Sequence, residues 1–320
     1  MNIVFLGSGA FGVDSLKFLH ASVHHVPLVF TQPSRPAGRG RKMVATPIGQ
    51  LATTLNIECI ETADVNSSVH VEKIKHLKPD IIMVIAIGQK LGSELLNIPN
   101  CKVLNLHSSL LPKYRGAAPI NWAILNGESQ SGVTIIELDD VWDGGNIWGS
   151  LATPIQTSET ASELHDRLAC LGPQCIEMVI DRIKTDTYVP EVQDIKLAKR
   201  APKLCKADGA IDFSKSAPEV YNHIQGMWSW PGAFCFFTLE NSNKKQRLAV
   251  ARCEIVPNEQ DNTTSIDAPP GRLLDDMTIV CGNGKIKFIE VKPDNSKLMS
   301  FTDFTNGRRI SGGIQFQNGN

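Results

Sequence analysis

Short apolar runs alternate along the first half of the chain with stretches whose apolar residues recur at helical spacing. Asn2–Leu6, Val26–Thr31, Glu58–Ile60 and Asp80–Ala86 read as strands, the last of them (DIIMVIA) apolar almost throughout. Runs of this kind belong to strands covered on both faces. The intervening segments complete repeated strand–helix units: a helix reaching about His20, then Thr46–Leu55, Ser68–Leu77 and a short one around Leu91–Leu96. Such repetition predicts a parallel sheet with helices wound on both sides. Val103–His107 differs. Apolar and polar residues alternate there, so the strand has two unlike faces and Asn105 and His107 share one. Beyond it the pattern predicts a helix at Pro119–Leu125, strands at Gly132–Leu138 and Asn146–Thr153, and a long amphipathic helix over Thr157–Lys184. Ala161, Leu164, Leu168, Leu171, Cys175 and Val179 line that helix, and Pro173 within it predicts a kink or break.

Periodicity fades from Glu191 to Lys206, a basic stretch with Lys196, Lys199, Arg200, Lys203 and Lys206 and the composition of an interdomain connection. A helix at Pro218–Gly226 follows, then short alternating runs at Gly232–Leu239, Gln246–Ile255, Gly271–Leu274, Met277–Cys281 and Lys285–Val291. Five short strands with turn signals predict a small barrel of the oligonucleotide-binding (OB-like) kind. The expected fold is therefore α/β: a doubly wound, Rossmann-like, mostly parallel sheet over 1–190, a linker over 191–206 and an OB-like β-barrel over 207–320. A chain of 320 residues accommodates two domains. Its last residues, ISGGIQFQNGN, read as a frayed tail.

Composition narrows the class. Apolar residues make up 42% and charged residues 20%, ordinary for a globular protein, and the net charge of −1 leaves no global footprint for nucleic acid. Any basic surface must be local. Eight cysteines lie scattered, several inside apolar runs such as AFCFF, and form neither a disulfide framework nor a metal-ligand spacing. No metal is expected. The N-terminus enters a strand at once, no basic leader precedes it, and no stretch approaches the length of a membrane span. A cytoplasmic, monomeric protein with no membrane partner is the expectation.

Two early motifs invite chemistry. Gly7-Ser8-Gly9-Ala10-Phe11-Gly12 matches a dinucleotide-binding turn, but that reading needs an acid at the end of the second strand. Thr31-Gln32-Pro33 supplies none, so the glycines read as tight strand–helix packing. RPAGRGRK, residues 35–42, holds four basic residues and no acid. Its glycines and proline exclude helix and strand, which predicts a flexible, positively charged loop able to follow a phosphate backbone.

The strand end at Asn105 and His107, together with Asp143 returning after a hairpin, brings an amide, an imidazole and a carboxylate toward one place. Ligands sit at the carboxyl ends of strands in open α/β sheets. A polar strand end with a solvated histidine is the plain alternative for His107 alone. As a set, the three groups lack a nucleophile beside a base and lack metal spacing. They offer oxyanion donors and a proton-handling carboxylate, which suits acyl transfer between two substrates through a tetrahedral intermediate.

The run Asn105-Leu106-His107-Ser108-Ser109-Leu110-Leu111-Pro112-Lys113-Tyr114-Arg115-Gly116-Ala117-Ala118-Pro119 resembles the signature of the 10-formyltetrahydrofolate-dependent formyltransferases. Asp139–Gly145 (DDVWDGG) resembles the loop bearing that family's catalytic aspartate. RPAGRGRK and KRAPKLCKADGAIDFSKSA are similar to the methionyl-tRNA branch. The resemblance runs nearly end to end. It implies that Asn105 and His107 stabilise an oxyanion on the formyl carbon, and that Asp143 orients His107 and takes a proton from the attacking amine. It implies a folate site of Ser109, Leu110, Leu111 and Pro112, with Ile87, Gly88, Gln89 and Asp139 near the pterin. It implies 10-formyltetrahydrofolate as co-substrate and methionyl initiator tRNA as partner, met by Arg35, Arg39, Arg41 and Lys42 and by Lys203 and Lys206. The chain departs from the family at Ile87, often aromatic there, and at Val141-Trp142-Asp143-Gly144-Gly145, where the family has Gly-Leu-Asp-Thr-Gly. Sugar-nucleotide formyl transfer, formyl-folate hydrolysis and, from another class, a nicotinamide oxidoreductase are the competing functions.

Overall fold

The computed structural model describes residues 1–38, 40–239, 244–257 and 268–318. In chain order the elements are β1 (Asn2–Gly7), α1 (Val13–Ala21), β2 (His25–Thr31), β3 (Arg35–Ala37), β4 (Lys42–Val44), α2 (Pro47–Thr54), β5 (Glu58–Glu61), α3 (Ser68–His76), β6 (Ile81–Ile85), α4 (Ser93–Leu96), β7 (Lys102–His107), β8 (Arg115–Gly116), α5 (Pro119–Leu125), β9 (Gln130–Glu137), β10 (Ile147–Pro154) and α6 (Ala161–Thr185). Then come β11 (Arg200–Ala201), α7 (Ala217–Met227), β12 (Ala233–Phe237), β13 (Gln246–Val256), β14 (Ile279–Val280), β15 (Lys285–Pro293), β16 (Met299–Ser300) and α8 (Phe301–Arg308). They form two compact units, Met1–Gly116 with Ser131–Thr153 and His165–Arg200, and Ala117–Gln130 with Pro154–Leu164 and Ala201–Asn320. Among the described residues no helix is long and apolar enough to cross a membrane.

The first unit is built on a seven-stranded sheet in the order β10-β9-β7-β6-β1-β2-β5. β5, β2, β1, β6 and β7 run parallel, and β9 returns antiparallel to β7. This is the doubly wound, mostly parallel α/β sheet expected from the strand–helix repeat. Val4, Leu6, Leu28, Phe30, Ile82, Val84 and Val103 cluster on one face with Val71, Ile74 and Leu95 of α3 and α4. Asn105 and His107 continue the row that Val103 starts, so they fall on that face, at the carboxyl end of β7. Strand order reverses between β1 and β6, the crevice where such sheets bind ligands.

Two expectations about breaks fail here. RPAGRGRK is not an irregular loop: β3 and β4 pair antiparallel, with Pro36 opposite Met43, and turn at Gly38, whose φ of +69° suits glycine. Proline costs nothing on a strand that donates no bond at that position, so composition alone did not exclude a hairpin. Of the kink or break expected at Pro173, the break does not occur, because Pro173 lies inside α6, which runs from Ala161 to Thr185. The preceding Gly172 lets the helix approach Ser15 and Leu106 closely, where a Cβ would not fit.

In the second unit β12, β13, β15 and β14 form an antiparallel ladder, with β16 paired to β15. Isolated bridges finish the ring: Ile279 of β14 with Leu273, Arg272 with Gln315, and Gln317 with Phe236 of β12. The barrel is closed by the segment expected to fray. Ile314 and Phe316 explain why, since both are buried among Phe213, Phe237, Phe288, Phe301 and Phe304, the aromatic core of this unit. Two apolar side chains sufficed to order a polar, glycine-rich tail.

Candidate active site

The carboxyl ends of β6 and β7 lie side by side, Val84 opposite Asn105. His107 is 6% exposed and Asp143 9%, whereas Asn105 is half-buried. Among the described residues the side-chain amide of Asn105 has no hydrogen-bond partner. His107 is fixed by its own loop: Nε2–H donates to the carbonyl oxygen of Tyr114 at 2.9 Å. That bond assigns the proton to Nε2 in the neutral ring, so Nδ1 is the nitrogen left for chemistry. It faces Asp143 Oδ2 at 3.9 Å, too far for a hydrogen bond and near enough for charge to act.

Asp143 is held in turn. Its Oδ2 accepts from Gly116 N–H at 2.8 Å. Its φ is +51° and that of Tyr114 is +65°, left-handed conformations that cost such residues about 1–3 kcal/mol and gather at functional sites. Gln193, buried and distant in sequence, donates through Nε2 to the carbonyls of Asp143 and Gly145 at 3.0 and 2.7 Å. Its Oε1 accepts from Arg115 Nε and Nη2 at 3.1 and 2.7 Å. Neither Tyr114 nor Gln193 was legible beforehand, since one acts through its backbone and the other sits in a stretch read as connection. That stretch is hydrogen-bonded in place: Glu191 exchanges two backbone bonds with Ile147, and Arg115 N–H donates to the carbonyl of Lys199.

Ser109, expected at the folate wall, is buried, and its hydroxyl donates to the Lys113 carbonyl at 2.7 Å. Thr134, opposite His107 in the ladder, donates to the carbonyl of Ser109 and accepts from Leu111 N–H. These two residues brace the turn. Leu110 and Pro112 are half-buried and Leu111 is buried against Ile136 and Ile147. Ile87 is buried and its carbonyl accepts from Gln32 Nε2 at 3.1 Å, while Gly88 takes a φ of +71°. The side chain of Gln89 is spent on Val65 N–H and the carbonyl of Thr62. Asp139 is exposed and caps the turn at Val141 N–H, and Lys90 donates to the carbonyl of Asp140, joining the two loops. Trp142 stands 57% exposed beside Asp143.

Gln32, where a dinucleotide site would need an acid, also accepts from Arg35 Nη2 at 3.3 Å. Ser8 of the glycine turn accepts from Gln32 N–H. A Cβ at Gly7 or Gly12 would press on Phe5 and the β6 end, so these glycines serve packing. The hairpin β3–β4 exposes Arg35, Arg41 and Lys42; Arg39 lies outside the described residues. Its base is anchored where Ser34 N–H and hydroxyl donate to Glu61, holding that carboxyl below the usual range. Lys203 and Lys206 are exposed on the second unit. Among the described residues no His, Cys, Asp and Glu group could hold a metal ion.

Comparison with known proteins identifies the family. The formyl transferase family model matches residues 1–180, and the formyl transferase C-terminal domain matches 203–309. The methionyl-tRNA formyltransferase of Acetivibrio thermocellus is 37% identical over 317 residues, 98% of each chain. That of Citrifermentans bemidjiense is 36% identical over 98% of this chain and 95% of its own. Solved structures share the fold. An N-formyltransferase from Helicobacter canadensis, in complex with folinic acid and dTDP-3-aminofucose, gives a TM-score of 0.64 at 22% identity over 89% of this chain and 98% of that one. Methionyl-tRNA formyltransferase from Clostridium thermocellum gives 0.54 at 18% over 80% and 94%. The end-to-end match across both units places the chain in the methionyl-tRNA formyltransferase family.

Proposed function

We propose that the protein transfers a formyl group from 10-formyltetrahydrofolate to the α-amine of methionyl initiator tRNA, with Asn105, His107 and Asp143 as its catalytic residues. The observation that carries this reading is the buried His107–Asp143 pair, with an unpartnered Asn105 amide on the same strand face. The amine's lone pair attacks the formyl carbon, and the carbonyl electrons move to oxygen. Asn105 donates to that oxyanion. His107 donates through Nδ1 when protonated, and the carboxylate 3.9 Å away offsets the cation's charge. Asp143 accepts the proton that the amine sheds. Collapse restores the carbonyl and breaks the bond to the folate nitrogen, which leaves with the electron pair and takes up a proton.

Leu110, Leu111 and Pro112, with the Ile87–Gln89 turn and Asp139, form the wall for the folate, while Ser109 and the Gln89 side chain brace it from behind. The β3–β4 hairpin, with Arg35, Arg39, Arg41 and Lys42, meets phosphates of the tRNA's acceptor end. Lys203 and Lys206 and the barrel over 207–320 meet the rest. Neutral overall charge is compatible with this, because the basic groups are concentrated on few elements. The deciding experiment offers charged initiator tRNA and a labelled formyl donor, with an amino-sugar nucleotide as rival acceptor. Label in the tRNA supports the proposal; label in the sugar, or free formate, replaces it.

A further inference from the structure

We infer that Gln193 is a positioning residue for the formyl transfer, acting with Arg115 to set Asp143 against His107. The inference rests on the role proposed for Asp143. Gln193 is 8% exposed, and both sides of its amide are committed. Its Nε2 bonds the carbonyls of Asp143 and Gly145, on either side of Gly144. Its Oε1 receives two N–H groups of Arg115. The backbone on either side of Arg115 supplies the remaining contacts: the Tyr114 carbonyl that orients His107 and the Gly116 N–H that holds the Asp143 carboxylate. The buried Gln193 and the half-buried Arg115 thus fix the loop bearing the acid and the loop bearing its partners.

The Gly116 N–H bond to the Asp143 carboxylate ties the same two loops at one atom, whereas Gln193 holds the backbone on both sides of Gly144. Asp143 takes a left-handed backbone and is followed by two glycines, so its loop has little stiffness of its own. Gln193 does not reach the reacting atoms; its bonds end on backbone carbonyls. Its effect must pass through where Asp143 stands, and transition-state geometry is sensitive to displacements of this order.

Gln193→Leu removes the whole set of bonds. Gln193→Glu keeps an acceptor for Arg115 and loses the two donated bonds, and it serves if the leucine variant does not fold. Either variant is expected to lower kcat tenfold or more, with KM for the formyl donor changed less than threefold. Exchange of the Gly116 amide proton should quicken by tenfold or more while that of Val84, in the sheet, stays as in the parent. In an Asp143→Asn background the same substitution should lower the residual rate less than twofold, because the lever has nothing left to place. Unchanged Gly116 exchange with full kcat, or losses that multiply across the two sites, would overturn the inference. Wild-type rate in Asp143→Asn alone would instead remove the role of Asp143, and Gly116 exchange would still report whether Gln193 holds the loop.

Discussion

His107 Nδ1 lies 3.9 Å from Asp143 Oδ2, with both side chains buried and neither hydrogen-bonded to the other. At that distance the carboxylate acts on the imidazole through charge and not through a hydrogen bond. Asp143→Asn retains an oxygen to accept from Gly116 N–H and loses only the charge. Its kcat should fall about 100-fold or more. Its melting temperature should move by no more than about 3 °C, read by calorimetry on the same sample. Parental activity in that variant would end the assignment.

Gly145 tests the loop by sterics alone. A Cβ at this position would collide with the carbonyl oxygen of Glu137, a backbone atom of the sheet that cannot swing aside. Gly145→Ala should therefore cost about 1–3 kcal/mol of stability, the usual range for overpacking. It should also lower kcat, because the displaced loop carries Asp143. Thermal unfolding and steady-state rates measured together check both expectations.

Particular residues show what could be read from the chain alone. β6 was legible because burial on two faces writes a continuous apolar run, and β7 because polar Asn105 and His107 alternate with apolar neighbours. Asn105 and His107 follow from that alternation, since they share a strand. Gln193 could not be read, because a lone glutamine in an aperiodic stretch looks the same whether solvated or buried against two carbonyls. The hairpin was hidden by Gly38 and Pro36, whose torsions suit its turn and edge as well as they suit a loop. Phe316 was hidden for the opposite reason: its contacts lie with strands far away in sequence, and only closure of the barrel reveals them.

Thiol chemistry follows burial. Cys170 and Cys205 are exposed, while Cys175, Cys235, Cys253 and Cys281 are buried. Burial pushes the Cys175 and Cys281 thiols up to about 12 and the Cys235 and Cys253 thiols well above the usual range. The thiolate is the reactive form, so a disulfide reagent at neutral pH should label Cys170 and Cys205 first. The four buried thiols should react only after denaturant is added. Mass spectrometry of the labelled protein before and after unfolding decides it.

Acid sensitivity should centre on Arg252 in the second unit. Its guanidinium contacts Glu163 Oε1, bonds Glu290 Oε2 at 3.0 Å and donates to the Ser158 carbonyl at 2.9 Å. Burial works to raise the pKa of Glu163, but bonds from Thr160 N–H, Arg252 and the Thr160 hydroxyl prevail and hold it below the usual carboxylate range. A carboxyl whose pKa is lowered by folding stabilises the folded state above its unfolded value of about 4.3. That contribution fades as pH falls through the lower folded value. Glu163→Gln should then cost about 0.5–1 kcal/mol at pH 7, a small figure because the pair is half-exposed and screened by solvent. At acid pH, once Glu163 is protonated in the folded state, parent and variant should converge. Urea unfolding at both pH values would show it, and a gap that stayed constant between them would mean that packing, not charge, accounts for the loss.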